Sequence, residues 1–138
     1  MEYLDPTWWY IENPVGHLHL RPFMDPYAQY LHEPTYCHYG TEYRKATHVW
    51  TNADMRLPLR RCDTSDPCQL RLQSGQHPRV AQSGPTSNGT PGMGDGENVY
   101  AIHLDLSTEL LWEPMKDWSP QDAGTVCILT MVLDYGLD

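Results

Sequence analysis

The sequence predicts an α/β fold: the closing strands of an open sheet, an antiparallel hairpin, and a loop-rich insertion. Three observations carry this. Trp8-Trp9-Tyr10-Ile11 is a bulky run of high β-propensity that ends in Glu12-Asn13-Pro14. Thr35–Tyr39 and Ala46–Thr51 are rich in β-branched and aromatic types and flank Gly40 and a short connection. Leu104, Leu106, Leu110 and Leu111 recur at helical spacing. At 138 residues with 40% hydrophobic content, one domain with a modest core is expected.

The first run reads as a buried strand closed by Pro14, which has no N–H to continue a ladder. Glu12 and Asn13 then sit at its carboxyl end, where ligands bind in open α/β sheets. After it, Val15, Leu18 and Phe23 offer a short apolar face that Pro22 limits to about two turns. His17 and His19 are two apart, so they share no helical face and read as solvent-facing. Residues 24–34, with Pro26 and Pro34, read as a loop. The hairpin of Thr35–Tyr39 and Ala46–Thr51 places Arg44 and Lys45 near its tip.

Residues 53–96 are polar and rich in Gly, Pro, Ser and Arg, and no apolar periodicity survives there. For Ser83–Gly96 a disordered or ligand-ordered loop is expected. Order resumes at Val99–Ile102. The helix that follows takes Asp105 or Ser107 as its cap and stops before Pro114. Val126–Leu133 is apolar enough for a buried strand or a helix. The expected organisation is thus residues 1–112 as one partial domain, with 53–96 as its insertion and 113–138 as an unassigned extension.

Charge is unevenly spread. The chain carries a net charge of −9, yet seven of its nine basic residues lie between Arg44 and Arg79, against Asp54, Asp63 and Asp66. A locally positive face can hold a phosphate backbone despite acidic flanks, and Arg44, Lys45, Arg60 and Arg61 are the candidate contacts. The same clustering also reads as an ordinary solvated loop. No run of 18 apolar residues exists and no secretory signal is visible, so four cysteines argue for metal binding or burial over disulfides. Cys62-x5-Cys68, His77 and, on the hairpin, Cys37 are thiolate and imidazole donors of the kind zinc prefers, with His48 as a substitute fourth ligand. The spacing is not that of a standard finger, so free cysteines remain the alternative.

Glu12-Asn13-Pro14 at a strand end resembles the Glu-Asn motif of DNA cytosine-5 methyltransferases, closest to a divergent Glu-Asn-Pro group of phages, large viruses and retroelements. That group is similar again in Cys37-x-Tyr39-Gly40, Lys45 and Thr47-x-x-Trp50-Thr51-Asn52, and in a Cys…Cys…His pattern. The resemblance covers about residues 8–112. It implies the C-terminal half of a partial Rossmann-like methyltransferase fold that uses S-adenosylmethionine, binds DNA and belongs inside the cell, in a eukaryote the nucleus.

In that family the glutamate contacts the N3/N4 edge of a flipped cytosine while a cysteine thiolate adds at C6. Glu12 takes the first role, with Asn13 and Pro14 fixing the turn. The nucleophile motif normally precedes the glutamate. Pro67-Cys68-Gln69 follows it, so Cys68 is read as a metal ligand. No Gly-rich cofactor loop is seen either. The expectation is a chain inactive alone, its N-terminal half supplied by a partner. The alternatives are a zinc-stabilised nucleic-acid-binding module without catalysis, or a non-functional mobile-element remnant.

Overall fold

A computed structural model describes residues 6–53, 59–82, 84–93, 102, 104–115 and 126–130, the last five and residues 111–115 as backbone only. Its centre is a four-stranded sheet in the order β2-β3-β1-β4. The strands are β1 (Trp8–Pro14), β2 (Leu31–His32), β3 (Thr47–Thr51) and β4 (Val126–Thr130). β1 and β2 both run antiparallel to β3, while β4 lies parallel to β1. Among the described residues there is no doubly wound Rossmann sheet; the architecture is a small mixed α/β one.

β1 is a strand and stops at Pro14, which pairs with Thr47 as its last partner. Its alternation separates two cores. Tyr10 packs with Tyr36, Tyr39, Val49, Ala53, Leu59, Leu106 and Leu110 on one face. Trp9 and Ile11 pack with Leu18, Met24 and Trp50 on the other. Both faces are therefore covered, which is why β1 is apolar throughout its first half and not alternating. The second face is roofed by a 3-10 helical run, Pro22–Tyr30. Tyr27 and Tyr30 meet Trp9 edge-on, at ring-centroid distances of 5.6 and 5.3 Å. Pro22 starts that run, as its fixed φ and missing N–H allow. Of the short apolar face expected before it, only Leu18 is buried; Val15 and Phe23 are exposed.

The hairpin is present in a shifted form. Its first arm is not Thr35–Tyr39. Leu31, His32 and Thr35 pair with Trp50, Val49 and Ala46 in one constant register, interrupted at Glu33-Pro34. Tyr36–Tyr39 instead winds into a 3-10 turn closed by Gly40 at φ +96°. Only glycine takes that left-handed conformation freely, and it lets the Gly40 N–H bond the Tyr36 carbonyl. The strand partner that β3 needs on its other side is β1.

The helix α1 spans Leu104–Met115 and runs one residue past Pro114. Asp105 lies in its first turn and Ser107 inside it, so neither is the cap. Leu106 and Leu110 bury against the first core, whereas Leu104 is exposed. Val126–Thr130 is a strand and pairs parallel with β1 in the central sheet. Residues 99–101 and 131–133 lie outside the described residues.

Two phenols in the first core set a limit on alkaline stability. Burial pushes Tyr10 up to about 12, with the nearby Thr51 side chain opposing the shift. Burial likewise pushes Tyr39 up to about 12, opposed by the Arg60 amide and reinforced by Glu109. An unfolded chain would ionise them near 10.0. Their contribution is therefore full below pH 10 and lost as pH rises toward 12. The chain should unfold in that window, with far-ultraviolet circular dichroism lost together with the rise of tyrosinate absorbance. Tyr10→Phe should move the midpoint upward. Complete tyrosine ionisation near pH 10 with the dichroism intact would contradict this.

Candidate metal centre

Residues 59–93 contribute little apolar mass and are held by turns. Asp63 organises the first one: its Oδ1 accepts from the Ser65 and Asp66 amides at 2.7 and 3.0 Å and from the Ser65 hydroxyl at 2.6 Å. The Ser65 hydroxyl and these amides hold the Asp63 carboxyl down at about 2. The turn returns the chain so that the Cys68 amide donates to Cys62 Sγ at 3.4 Å. A second turn, closed by Gly75 N–H to Leu72 O at 2.8 Å with Gly75 at φ +82°, leads into His77. A bridge between Tyr43 and Arg79 then fastens that end beside the hairpin tip.

The outcome is a buried quartet. Cys37 Sγ, Cys62 Sγ, Cys68 Sγ and a ring nitrogen of His77 all lie within 4.8 Å of one another. His77 Nε2 stands 3.7 Å from Cys62 Sγ and 3.3 Å from Cys68 Sγ. Tetrahedral zinc with bonds of about 2.3 Å to sulfur and about 2.0–2.1 Å to nitrogen separates its ligand atoms by about 3.4–3.8 Å. The cluster could therefore hold a metal such as zinc with small adjustments. The four residues are those whose chemistry singled them out in the sequence. His48 is not among them. Its Nε2 lies 3.1 Å from Glu33 Oε1, and its ring packs on His19 and Trp50.

The electrostatics favour a cation in the middle. Without one, burial pushes the Cys37 thiol up to about 12, and the neighbouring Cys68 and Cys62 add to this. Burial and then the charges of Arg44 and Arg71 lower His77, which keeps its imidazole neutral and its lone pair available. Three buried thiols cannot ionise together unless a cation compensates them. Three thiolates around a divalent ion leave one net negative charge, and Arg44 and Arg71 are placed to offset it.

Thr35, with no side-chain metal donor and no signal in the sequence, ties the cluster to the sheet. It is fully buried. Its Oγ1 accepts from the Cys62 amide at 2.7 Å and lies 3.5 Å from Cys37 Sγ, and its amide donates to the Arg60 carbonyl at 3.0 Å. Its effect on Cys37 is to favour the thiolate.

The other candidate residues are distributed as follows. Glu12 and Asn13 are buried at the end of β1, at 3% exposure each. The Thr47 hydroxyl shares its proton between the Glu12 carboxylate and the Asn13 carbonyl, the latter at 3.0 Å, and Tyr36 Oη donates to Glu12 Oε1 at 3.3 Å. Lys45 is buried nearby, its ammonium 4.4 Å from the Tyr36 ring centroid. Burial lowers its pKa, and the Glu12 charge opposes that. Arg44 donates from Nε to the Cys62 carbonyl at 3.1 Å. Arg60 pairs with Asp66 at 2.7 Å and Arg61 with Glu33, both guanidiniums about half exposed.

Comparison of the chain with protein-family models, with curated proteins and with solved structures finds no match.

A cobalt-loaded chain should show thiolate-to-cobalt charge transfer and tetrahedral ligand-field bands at one ion per chain. His48→Ala should leave both unchanged and His77→Ala should weaken them; the reverse pattern would put His48 in the centre. Separately, Thr35→Val keeps the shape but orphans the Cys62 amide. It should cost about 1–3 kcal/mol in denaturant titration of the metal-loaded chain. An unchanged midpoint would show that the bond is dispensable.

Proposed function

We propose that this chain is a zinc-stabilised nucleic-acid-binding module without catalytic activity of its own. The observation that carries this is the buried Cys37, Cys62, Cys68 and His77 cluster, with Arg44, Arg60, Arg61, Arg71 and Arg79 on the segments that surround it. The metal replaces the apolar core that residues 59–93 lack, and the arginines supply charge that a phosphate backbone attracts. Lys45 takes no part in that surface, because it is 8% exposed. Arg60 and Arg61 already have carboxylate partners, so an incoming phosphate competes with Asp66 and Glu33. No helix among the described residues is long and apolar enough to cross a membrane.

A second reading keeps the resemblance to cytosine-5 methyltransferases of the Glu-Asn-Pro group, with these residues corresponding to the C-terminal half of such a domain. What favours it is the convergence of Glu12, Tyr36, Thr47 and Lys45 at the end of β1. The parallel β1–β4 pair is also what such a half of a Rossmann-like sheet would retain. Against direct chemistry stands the burial of Glu12, which leaves its carboxylate no open path to a flipped base. S-adenosylmethionine enters this reading through the resemblance alone.

The two are separated by one preparation. The zinc-loaded chain should retain an oligonucleotide with affinity falling steeply with salt, and should transfer no labelled methyl group to poly(dI-dC). Methyl incorporation by the isolated chain would overturn the non-catalytic reading. Absence of any salt-dependent retention would overturn the nucleic-acid reading.

A further inference from the structure

His77 is committed on one side of its ring only. Nε2 faces Cys62 Sγ at 3.7 Å and Cys68 Sγ at 3.3 Å. There it acts as an acceptor toward a thiol or as a ligand toward a metal. A neutral imidazole carries one proton, so in both cases that proton sits on Nδ1, which is a donor. Metal-bound histidines almost always give this second N–H to a carboxylate, a carbonyl or a water. His77 is 9% exposed, and its Nδ1 has no acceptor among the described residues.

The ring forms part of the lining of a cavity of about 300 Å³, which Arg44, Asp63, Thr64 and Arg71 also line. Both arginines are anchored through neutral acceptors. Arg44 Nε donates to the Cys62 carbonyl at 3.1 Å. Arg71 Nε donates to the Gly75 carbonyl at 3.2 Å, and its Nη1 donates to the Asp63 carbonyl. Such bonds fix a guanidinium without cancelling its charge. Both terminal nitrogens of Arg44, and Nη2 of Arg71, have no partner among the described residues. Asp63 is the one acid in the lining, and its Oδ1 is taken by the Ser65 and Asp66 amides and the Ser65 hydroxyl. Metal-bound thiolates draw on the same two cations for charge balance. What fits the cavity to an oxyanion is therefore its set of uncommitted donors more than its net charge.

We infer that the cavity between Arg44 and Arg71 seats a phosphate group, one oxygen of which accepts the Nδ1–H of His77. This rests on the nucleic-acid-binding reading and gives it a place. It also couples the ligand to the metal centre. The phosphate supplies the outer acceptor that His77 otherwise lacks, and Arg44 hangs on the carbonyl of Cys62.

The test follows the His77 Nδ1–H proton by nitrogen-edited NMR in the zinc-loaded chain, with inorganic phosphate in one arm and a duplex of mixed sequence in the other. The proton should sharpen and move downfield in both arms as it gains a charged acceptor. Anisotropy of the same duplex, labelled with fluorescein, gives the affinity across a salt series. Arg44→Gln should weaken duplex binding about tenfold and reduce the slope of log K against log salt by about 0.9, the signature of one lost phosphate contact. That change also removes the bond to Cys62, so Thr64→Asp serves as the second variant. Thr64 is exposed and its side chain makes no hydrogen bond among the described residues. A carboxylate there should weaken binding as strongly, with zinc content and melting temperature unchanged. A response to inorganic phosphate without duplex binding would keep the phosphate site and overturn the nucleic-acid reading. A response to duplex alone would assign the site to backbone phosphates. Duplex binding with the proton unmoved and both variants unimpaired would overturn the site and leave the arginines only to balance the thiolates. No response in either arm and no duplex binding would overturn both.

Discussion

Three thiols and an imidazole, buried within 4.8 Å of one another, are the constraint on which the second half of the chain depends. A cluster of Cys37, Cys62 and Cys68 with Leu70 packed against it is what residues 59–93 have in place of an aliphatic core. Apolar burial of that size is worth a few kcal/mol at about 25 cal/mol per Å². Zinc held by such donors contributes about 10–16 kcal/mol in zinc-finger peptides at neutral pH. Whole domains are stable by about 5–15 kcal/mol. A bound metal would thus be the largest single term for this segment, and Thr35 and Arg44 are the points at which that term reaches the sheet and the basic surface.

The sheet is organised differently. β1 has side chains buried on both faces and hydrogen-bonded strands on both edges. Its last residues carry a carboxylate into that environment. Glu12 is tolerated because Thr47 and Tyr36 donate to it and Lys45 lies close by, so the cost of burying charge is offset locally. The same contacts that make Glu12 affordable also occupy it. A motif that resembles an active-site strand is here satisfied from within.

The legibility of these features in the sequence followed their physics. β1 and its end were readable because aromatic bulk and a proline act through local chemistry. The Cys–His quartet was readable as chemistry, since thiol and imidazole are only two donor types and few such residues exist to combine, although its geometry was not. The hairpin arm was misplaced for a definite reason. Tyr36–Tyr39 has strand-like composition, but Gly40 in the left-handed region turns it into a 3-10 helix and moves the pairing back to Leu31–Thr35. Residues 84–93 carry many turn formers, which reads as a disordered or ligand-ordered loop; backbone bonds between residues ten or so apart close them, and composition cannot express that. Thr35 could not have been found, because its role is a single oxygen between two distant segments.

The parallel pairing of β1 with β4 has a consequence for biogenesis. Trp8–Glu12 leaves the ribosome well before Val126–Thr130, which follows only after the cysteine-bearing segment and the helix have been made. At roughly 5–20 residues per second the wait lasts many seconds. Through that interval one edge of an aromatic-rich strand stands open, a template for pairing with another nascent copy. Contacts this distant in sequence also slow folding. Yield in a cell should therefore be governed by chaperone supply during synthesis as much as by the stability of the finished domain.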